Sequence, residues 1–145
     1  MALKACPHPI ATRQPMTKTA FSVYMFGLYA IFGIGLPFLL IPHIALGLFG
    51  MTAGDDMWVR MLGLFVLIMG AYYVMAVKVD FEPFYDWTVP ARYSTSVFMA
   101  VMAVLGAVAP TILIFASVDA ISATLTLLAR RYDAAEAAER IGESG

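Results

Sequence analysis

The sequence has few charged residues, one cysteine and two histidines. Charged side chains make up 13% of the 145 residues, whereas soluble domains carry about 25%, and 61% of the residues are hydrophobic. So few charges cannot cover the surface of a soluble domain of this length. We therefore expect an integral membrane protein.

The residue types that carry most redox and hydrolytic chemistry are scarce. A single cysteine, Cys6, excludes an internal disulfide and a paired-cysteine redox centre. His8 and His43 are too few for the axial ligands of a membrane cytochrome with two haems. The sequence contains no nucleophile elbow, phosphate-binding glycine loop or metal-ligand cluster. A non-catalytic role is therefore favoured, any cofactor stays unknown, and the lack of a basic soluble surface excludes nucleic acid as a partner.

Long uncharged stretches predict four membrane-spanning helices. No ionised residue lies between Lys18 and Asp55, a stretch that would measure about 54 Å as one helix and exceeds a hydrocarbon core of about 30 Å. Pro37 and Pro42 are expected to divide it, and Pro37 can kink the first helix. The predicted spans are residues 16–40, 57–77, 91–108 and 111–129, with tails at residues 1–15 and 130–145.

Two connecting segments differ from the spans in composition. Residues 42–50 are too few to cross a bilayer and are expected to form a small helix in the membrane interface. Residues 78–92 mix acidic and aromatic side chains between Pro83 and Pro90, which indicates a juxtamembrane loop. The sequence thus predicts a single all-α integral membrane domain, a four-transmembrane-helix bundle with a short interfacial helix after the first span.

The basic residues are concentrated on one side of this topology. With four spans, both termini and the 78–92 loop share a side, and eight of the nine Lys and Arg residues fall there. The ninth, Arg60, lies on the opposite side with Asp55 and Asp56. Because cytoplasmic loops are rich in Lys and Arg, we expect a bacterial inner-membrane protein with both termini in the cytoplasm. The first apolar run is too long for a signal peptide and is interpreted as a retained helix.

Asp119 is the one charged residue between Tyr93 and Ala129. A carboxylate at membrane depth costs roughly 2.5–3.5 kcal/mol on insertion scales, so it must be paired, hydrated or protonated. Asp119 follows Pro110 by nine residues, and Arg60 lies near the start of the second span on the same side of the membrane. Their backbone levels then differ by roughly 8 Å, which an arginine side chain can largely cover. Arg60 is therefore the expected partner of Asp119.

Two interpretations of Asp119 stay open. In the structural one, Asp119 and Arg60 clamp two helices together, and hydroxyl groups on the same helix face add hydrogen bonds. In the functional one, Asp119 lines a polar cavity open to the periplasmic side and binds a ligand, a cation or a proton. The candidate residues for the two interpretations are Asp119, Arg60, His43, Tyr72, Tyr73, Ser122 and Thr126.

The histidine and tyrosine candidates have simpler explanations as well. His43 at the interface can titrate near neutral pH, but simple solvation also accounts for a lone interfacial histidine. Tyr72 and Tyr73 lie near the middle of the second span, where at least one hydroxyl needs a hydrogen-bond partner or a cavity.

A series of short segments has a recognisable order. After the first helix come the proline-led residues 42–50, then residues 58–63 (WVRMLG), 70–73 (GAYY) and 88–92 (TVPAR), and a last helix with Asp119. Over residues 18–131 this layout resembles small four-helix bacterial inner-membrane proteins of the DoxX-like kind and their uncharacterised relatives. The resemblance implies a four-helix bundle and no particular activity. Some such proteins are linked to quinone or thiosulfate oxidation beside partner subunits, a role for which this sequence offers no redox residue.

Two functions follow as alternatives. The first is a non-catalytic membrane protein, either an auxiliary subunit of a membrane complex or a small lipid- or hydrophobe-binding bundle. The second is a small transporter or proton-coupled protein that uses Asp119. The expected partners are the lipid bilayer and either another membrane protein or further copies of the chain. The ionisation and accessibility of Asp119 distinguish the two functions.

Overall fold

The computed structural model describes residues 16–143, and most residues in this part of the chain are helical. Its helices are α1 (Lys18–Leu40), α2 (Pro42–Gly47), α3 (Asp56–Lys78), α4 (Glu82–Val104) and α5 (Ile112–Glu143). Three of them, α1, α3 and α5, are long and apolar enough to cross a membrane. The expectation of an all-helical, multi-pass membrane protein is confirmed at this level. The predictions for residues 1–15 and 144–145 lie outside the described residues.

The first helix changes its winding in the middle. It is α-helical over Lys18–Leu28, π-helical over Tyr29–Gly35 and α-helical again over Leu36–Leu40. Pro37 has no N–H to donate to the carbonyl of Gly33, so even a regular α-helix would lack that hydrogen bond. A wider turn just before Pro37 therefore costs no additional hydrogen bond. The irregularity expected at Pro37 therefore takes the form of a widened turn.

Helices α1 and α3 approach each other so closely that their backbones touch. A Cβ placed on Gly63 would lie 2.6 Å from the amide nitrogen of Leu39, and one placed on Gly70 would lie 2.9 Å from the carbonyl oxygen of Gly27. Only glycine fits at such contacts, which in membrane proteins permit close helix packing without large side chains. The α1–α3 pair is thus fixed by its glycines.

The prediction of a loop over residues 78–92 is wrong. The connection is confined to residues 79–81, where Asp80 has a positive φ of 51°, and α4 begins at Glu82. Pro83 suits the first turn of a helix, where its missing N–H would have had no partner. Pro90 lies inside α4 and removes one donor, to the carbonyl of Asp86, without ending the helix. The helix expected over residues 91–108 consequently starts earlier and ends at Val104.

Helix α1 is central: it packs against α3 on one side and α5 on the other, and α4 packs along α5. At the end of the bundle where α1 begins, Ala20, Val23, Tyr73 and Tyr85 form a buried core. At the same end, Asp86 and Arg130 form an ion pair between α4 and α5. That end is therefore closed.

Asp133 on α5 caps the start of α1 at the same closed end. Its carboxylate accepts the backbone N–H and the hydroxyl of Thr19, at 2.9 and 2.6 Å, and the backbone N–H of Lys18 at 3.3 Å. A carboxylate at a helix N-terminus satisfies free N–H groups and complements the helix dipole. Farther along the bundle α3 and α4 have almost no backbone contact, and a space opens between them.

Candidate functional site

A cavity of about 350 Å³ lies inside the bundle between α1, α3, α4 and α5. Its wall is mostly aliphatic, aromatic and methionine side chains, including Phe38, Val66 and Met99. The polar groups on the wall are Tyr29, Tyr73, Arg92 and Asp119. A mostly apolar wall with a few convergent polar groups is typical of small-molecule sites, which measure roughly 300–1,000 Å³.

Arg92 on α4 is the most deeply buried charged residue of the site, with 3% of its surface exposed. Its Nη1 donates to Thr126 Oγ1 at 3.3 Å, and its guanidinium carbon lies 3.6 Å from the ring centre of Phe26 and 5.1 Å from that of Tyr73. The stacked rings stabilise the cation. Among residues 16–143 its Nε and Nη2 meet no acceptor at full hydrogen-bond geometry, although the Tyr73 hydroxyl interacts with the guanidinium. Buried donors without partners carry a desolvation cost, and here they belong to a residue on the cavity wall.

Hydroxyl groups on α1 and α5 hold the Arg92 side chain in place. Thr126 is fully buried; it donates to the carbonyl of Ser122 at 2.9 Å and shares a 2.8 Å hydrogen bond with the hydroxyl of Ser22. The Ser122 hydroxyl donates to the backbone carbonyl of Asp119 at 2.9 Å. Thr126 thus belongs to the Arg92 anchor, whereas Ser122 is hydrogen-bonded to its own helix.

The Asp119 carboxylate lies on the cavity wall without a direct partner. Within residues 16–143 its carboxylate oxygens accept no hydrogen bond, and no basic side chain comes within the 4.0 Å of an ion pair. The cation that interacts with it electrostatically is Arg92. A half-buried anion and a buried cation therefore share one cavity without touching.

The predicted Asp119–Arg60 ion pair is wrong. Arg60 Nη1 donates to the carbonyl of Leu39 at 2.6 Å, and Nη2 lies 3.4 Å from Asp56 Oδ2. Helix α1 ends at Leu40, so its last carbonyls lack helical partners and favour a cation nearby. Sequence spacing could not show this, because it depends on how α1 ends beside the start of α3.

His43 belongs to the Arg60 group and not to the cavity. Its Nε2 lies 2.7 Å from Asp56 Oδ1, an ion pair when the imidazole is protonated. His43, Asp56 and Arg60 form a polar cluster near the start of α3, and none of the three lines the cavity. The expected grouping of His43 and Arg60 around Asp119 is therefore wrong.

The two adjacent tyrosines have different surroundings. Tyr73 is buried, lines the cavity and accepts a 2.5 Å hydrogen bond from the hydroxyl of Thr88. Tyr72 is 57% exposed on the outside of the bundle. Of the predicted site residues, the structure places Asp119 and Tyr73 on the cavity wall and Thr126 behind it.

Sequence reasoning missed Arg92, which was assigned to the basic side of the membrane. The sequence did contain a signal for its burial, which is helical spacing on α4. The residues at intervals of three, four and four form the buried face of this helix: Tyr85, Thr88, Arg92 and Ser96. It was overlooked because Pro90 was interpreted as a helix boundary. With Arg92 inside the bundle, the predicted number of basic residues on that side falls from eight to seven.

A second, more open groove of about 570 Å³ lies on the outer surface between α1 and α5. Phe26 and Tyr29 line both the groove and the cavity. These two side chains therefore separate the interior of the bundle from a surface that α1 and α5 expose.

Among residues 16–143 no group of three His, Cys, Asp or Glu side chains is arranged to hold a metal ion. No protein-family model, curated protein or solved structure matches the chain. The geometry of the cavity is the basis for assigning a function.

Proposed function

We propose that the chain is a four-span protein of the bacterial inner membrane, of the DoxX-like kind, with both termini in the cytoplasm and α2 in the interface. The apolar lengths of α1, α3 and α5 support membrane insertion. Lys18 at the start of α1, Lys78 at the end of α3, and Arg130 and Arg131 on α5 lie toward one end of the bundle. Under the positive-inside rule this end faces the cytoplasm.

We further propose that the protein is non-catalytic and binds a lipid or another hydrophobic molecule in its cavity, by itself, as a homo-oligomer or as an auxiliary subunit of a membrane complex. The observation that carries this proposal is an apolar cavity of about 350 Å³ with a buried arginine that has free donors on its wall. Protein interiors are normally close-packed, and side chains that line a partly open space lack the contacts of a packed core. A ligand that fills it restores the lost contacts.

The surface groove between α1 and α5 supports a lateral route of access. Phe26 and Tyr29 lie between groove and cavity, and rotation of these two side chains would join the two spaces. The π-helical turn that carries Tyr29 is an irregularity often found at functional sites. A hydrophobic molecule could then reach the cavity from the bilayer without crossing water.

Filling the cavity with a large side chain should prevent binding. Val66 lines the cavity, and Val66→Trp would place an indole in the space that a ligand needs. Val97 on α4 is 62% exposed and does not line the cavity, so Val97→Trp is the matched control. In native mass spectrometry of the protein purified from its own membrane, the natural chain and Val97→Trp should carry a bound hydrophobic molecule, and Val66→Trp should not. Equal occupancy in both variants would show that the cavity is not the site.

Asp119 supports a second function, proton-coupled transport. The supporting observation is that its carboxylate lines the cavity with no hydrogen-bond or ion-pair partner in the described part of the chain. Reconstituted in liposomes, such a protein would carry out a pH-driven flux that Asp119→Asn abolishes. Asp56→Asn, which changes a carboxylate outside the cavity, would leave the flux intact. Absence of pH-driven flux in the natural chain rules out this second function.

A further inference from the structure

We propose that the cavity takes a zwitterionic amphiphile, a molecule that joins an anionic oxygen group and a primary ammonium to an apolar body. The inference rests on the proposed binding function and adds the chemistry of the ligand's head. Two sources share this chemistry: a phosphoethanolamine lipid of the bilayer and a free apolar amino acid.

The guanidinium of Arg92 supplies the site for the anionic group. Nη1 is occupied by Thr126, whereas Nε and Nη2 are buried without partners. These two nitrogens form one edge of the planar guanidinium, and their parallel N–H groups match two oxygens of a carboxylate or phosphate. The Phe26 ring, 3.6 Å from the guanidinium carbon, covers one face of the group and restricts its movement. Both nitrogens are covered by protein atoms, so a bidentate contact requires a neighbouring side chain to move aside when the ligand binds.

The Asp119 carboxylate supplies the site for the ammonium group. It lines the same cavity, accepts no hydrogen bond from residues 16–143, and does not form an ion pair with Arg92. An ammonium group has three donors and no acceptor, so it suits a carboxylate with free lone pairs. Arg92 lacks acceptors, which the anionic group of a zwitterion provides. Asp119 lacks donors, which the ammonium group provides.

Charge balance favours a zwitterion over a singly charged ligand. Arg92 and Asp119 are the charged residues on the cavity wall, and their formal charges cancel. A purely anionic or cationic ligand would leave a net charge inside an apolar enclosure, which is costly. A zwitterion keeps the cavity neutral and gives hydrogen bonds to both side chains. The rest of the wall accepts the apolar body, and methionines such as Met69 and Met99 can adapt to its shape.

The test compares ligands that share a tail and differ in the head. The purified natural chain, stripped of bound lipid in detergent, is titrated at neutral pH with dodecyl phosphoethanolamine, the singly charged phosphodiester dodecyl methyl phosphate, dodecylamine and dodecanol. A parallel series uses leucine, its deaminated analogue 4-methylpentanoate and its decarboxylated analogue 3-methylbutylamine. In at least one series the zwitterion should bind about tenfold or more tightly than either singly charged analogue, the difference that one charged hydrogen bond makes. The series that shows the preference identifies the source.

Variants assign the two ends of the head. In Asp119→Asn the affinity for dodecyl phosphoethanolamine should come close to that for dodecyl methyl phosphate, and in Arg92→Gln it should come close to that for dodecylamine. Asp56→Asn, outside the cavity, should keep the natural preference. If a variant does not fold, the comparison of the ligands on the natural chain tests the proposal by itself.

The outcomes distinguish the zwitterion inference from the binding function on which it rests. Equal affinity for all four dodecyl compounds, or tighter binding of a singly charged one in both series, overturns the zwitterion and leaves the binding function intact. Failure of every compound to bind, dodecanol included, overturns both.

Discussion

Replacing Arg92 with methionine and Asp119 with asparagine in one chain is expected to stabilise the protein and to abolish its preference for a charged head. Arg92 is buried and Asp119 is half-buried in the cavity wall, and the two charges do not touch. Replacement of buried ionic groups by apolar or neutral residues of similar volume is often neutral or stabilising by about 1–4 kcal/mol. Thermal unfolding in detergent measures the change, and dodecanol binding checks that the cavity is still present.

The single variants should behave in the opposite way. Arg92→Met leaves the Asp119 charge without its counterion, and Asp119→Asn leaves the Arg92 charge likewise uncompensated. Arg92 and Asp119 are not in contact, so the loss should be smaller than the cost of about 3–5 kcal/mol for breaking a buried ion pair, but each single variant should still unfold at a lower temperature than the natural chain. A double variant less stable than both singles would mean that the two charges are held for stability and not for a ligand.

Gly63→Ala is expected to give the second large effect, a loss of about 1–3 kcal/mol in the free energy of unfolding. The added Cβ would lie 2.6 Å from the Leu39 amide nitrogen and 2.9 Å from the Gly35 carbonyl oxygen. Backbone atoms of a helix cannot rotate away, so α1 and α3 must separate. The separation also moves Leu62 and Val66 on the cavity wall, so ligand affinity should fall with stability.

Gly47→Ala on α2 is the matched control. A Cβ placed there meets no atom within 4 Å, and alanine is favoured over glycine in a helix by up to about 1 kcal/mol. Its unfolding free energy should stay unchanged or rise slightly. Equal losses in the two alanine variants, measured by thermal unfolding in the same detergent, would contradict the glycine-mediated contact between α1 and α3.

The helical, membrane-spanning character of the chain could be predicted from sequence because it depends on local composition. A stretch of about 20 apolar residues is driven into a bilayer whatever it packs against. The same reasoning identified Asp119, since an isolated carboxylate at that depth needs an explanation. Both inferences use the free energy of transferring side chains from water to the bilayer, and they need no knowledge of neighbouring helices.

The partners of the charged residues could not be predicted, because they depend on long-range geometry. Arg60 is satisfied by the Leu39 carbonyl, which is free only because α1 ends at Leu40 next to the start of α3. Arg92 is buried because α4 continues through Pro90, contrary to the usual preference of helices to end before a proline. Whether Tyr72 or Tyr73 faces inward depends on the rotation of α3, which the contacts at Gly63 and Gly70 help to fix. Each of these outcomes depends on a contact between helices.

Photolabelling tests the binding of an amphiphile inside the bundle most directly. The purified protein is irradiated with a dodecyl phosphoethanolamine that carries a diazirine in its tail, and the labelled peptides are identified by mass spectrometry. We expect label on the cavity-lining Met69, Met99 and Phe115, and its loss when excess unlabelled compound competes. Phe65 and Phe98, exposed on the outer surfaces of α3 and α4, serve as the internal reference. Label confined to the outer residues, or insensitive to competition, would contradict the account.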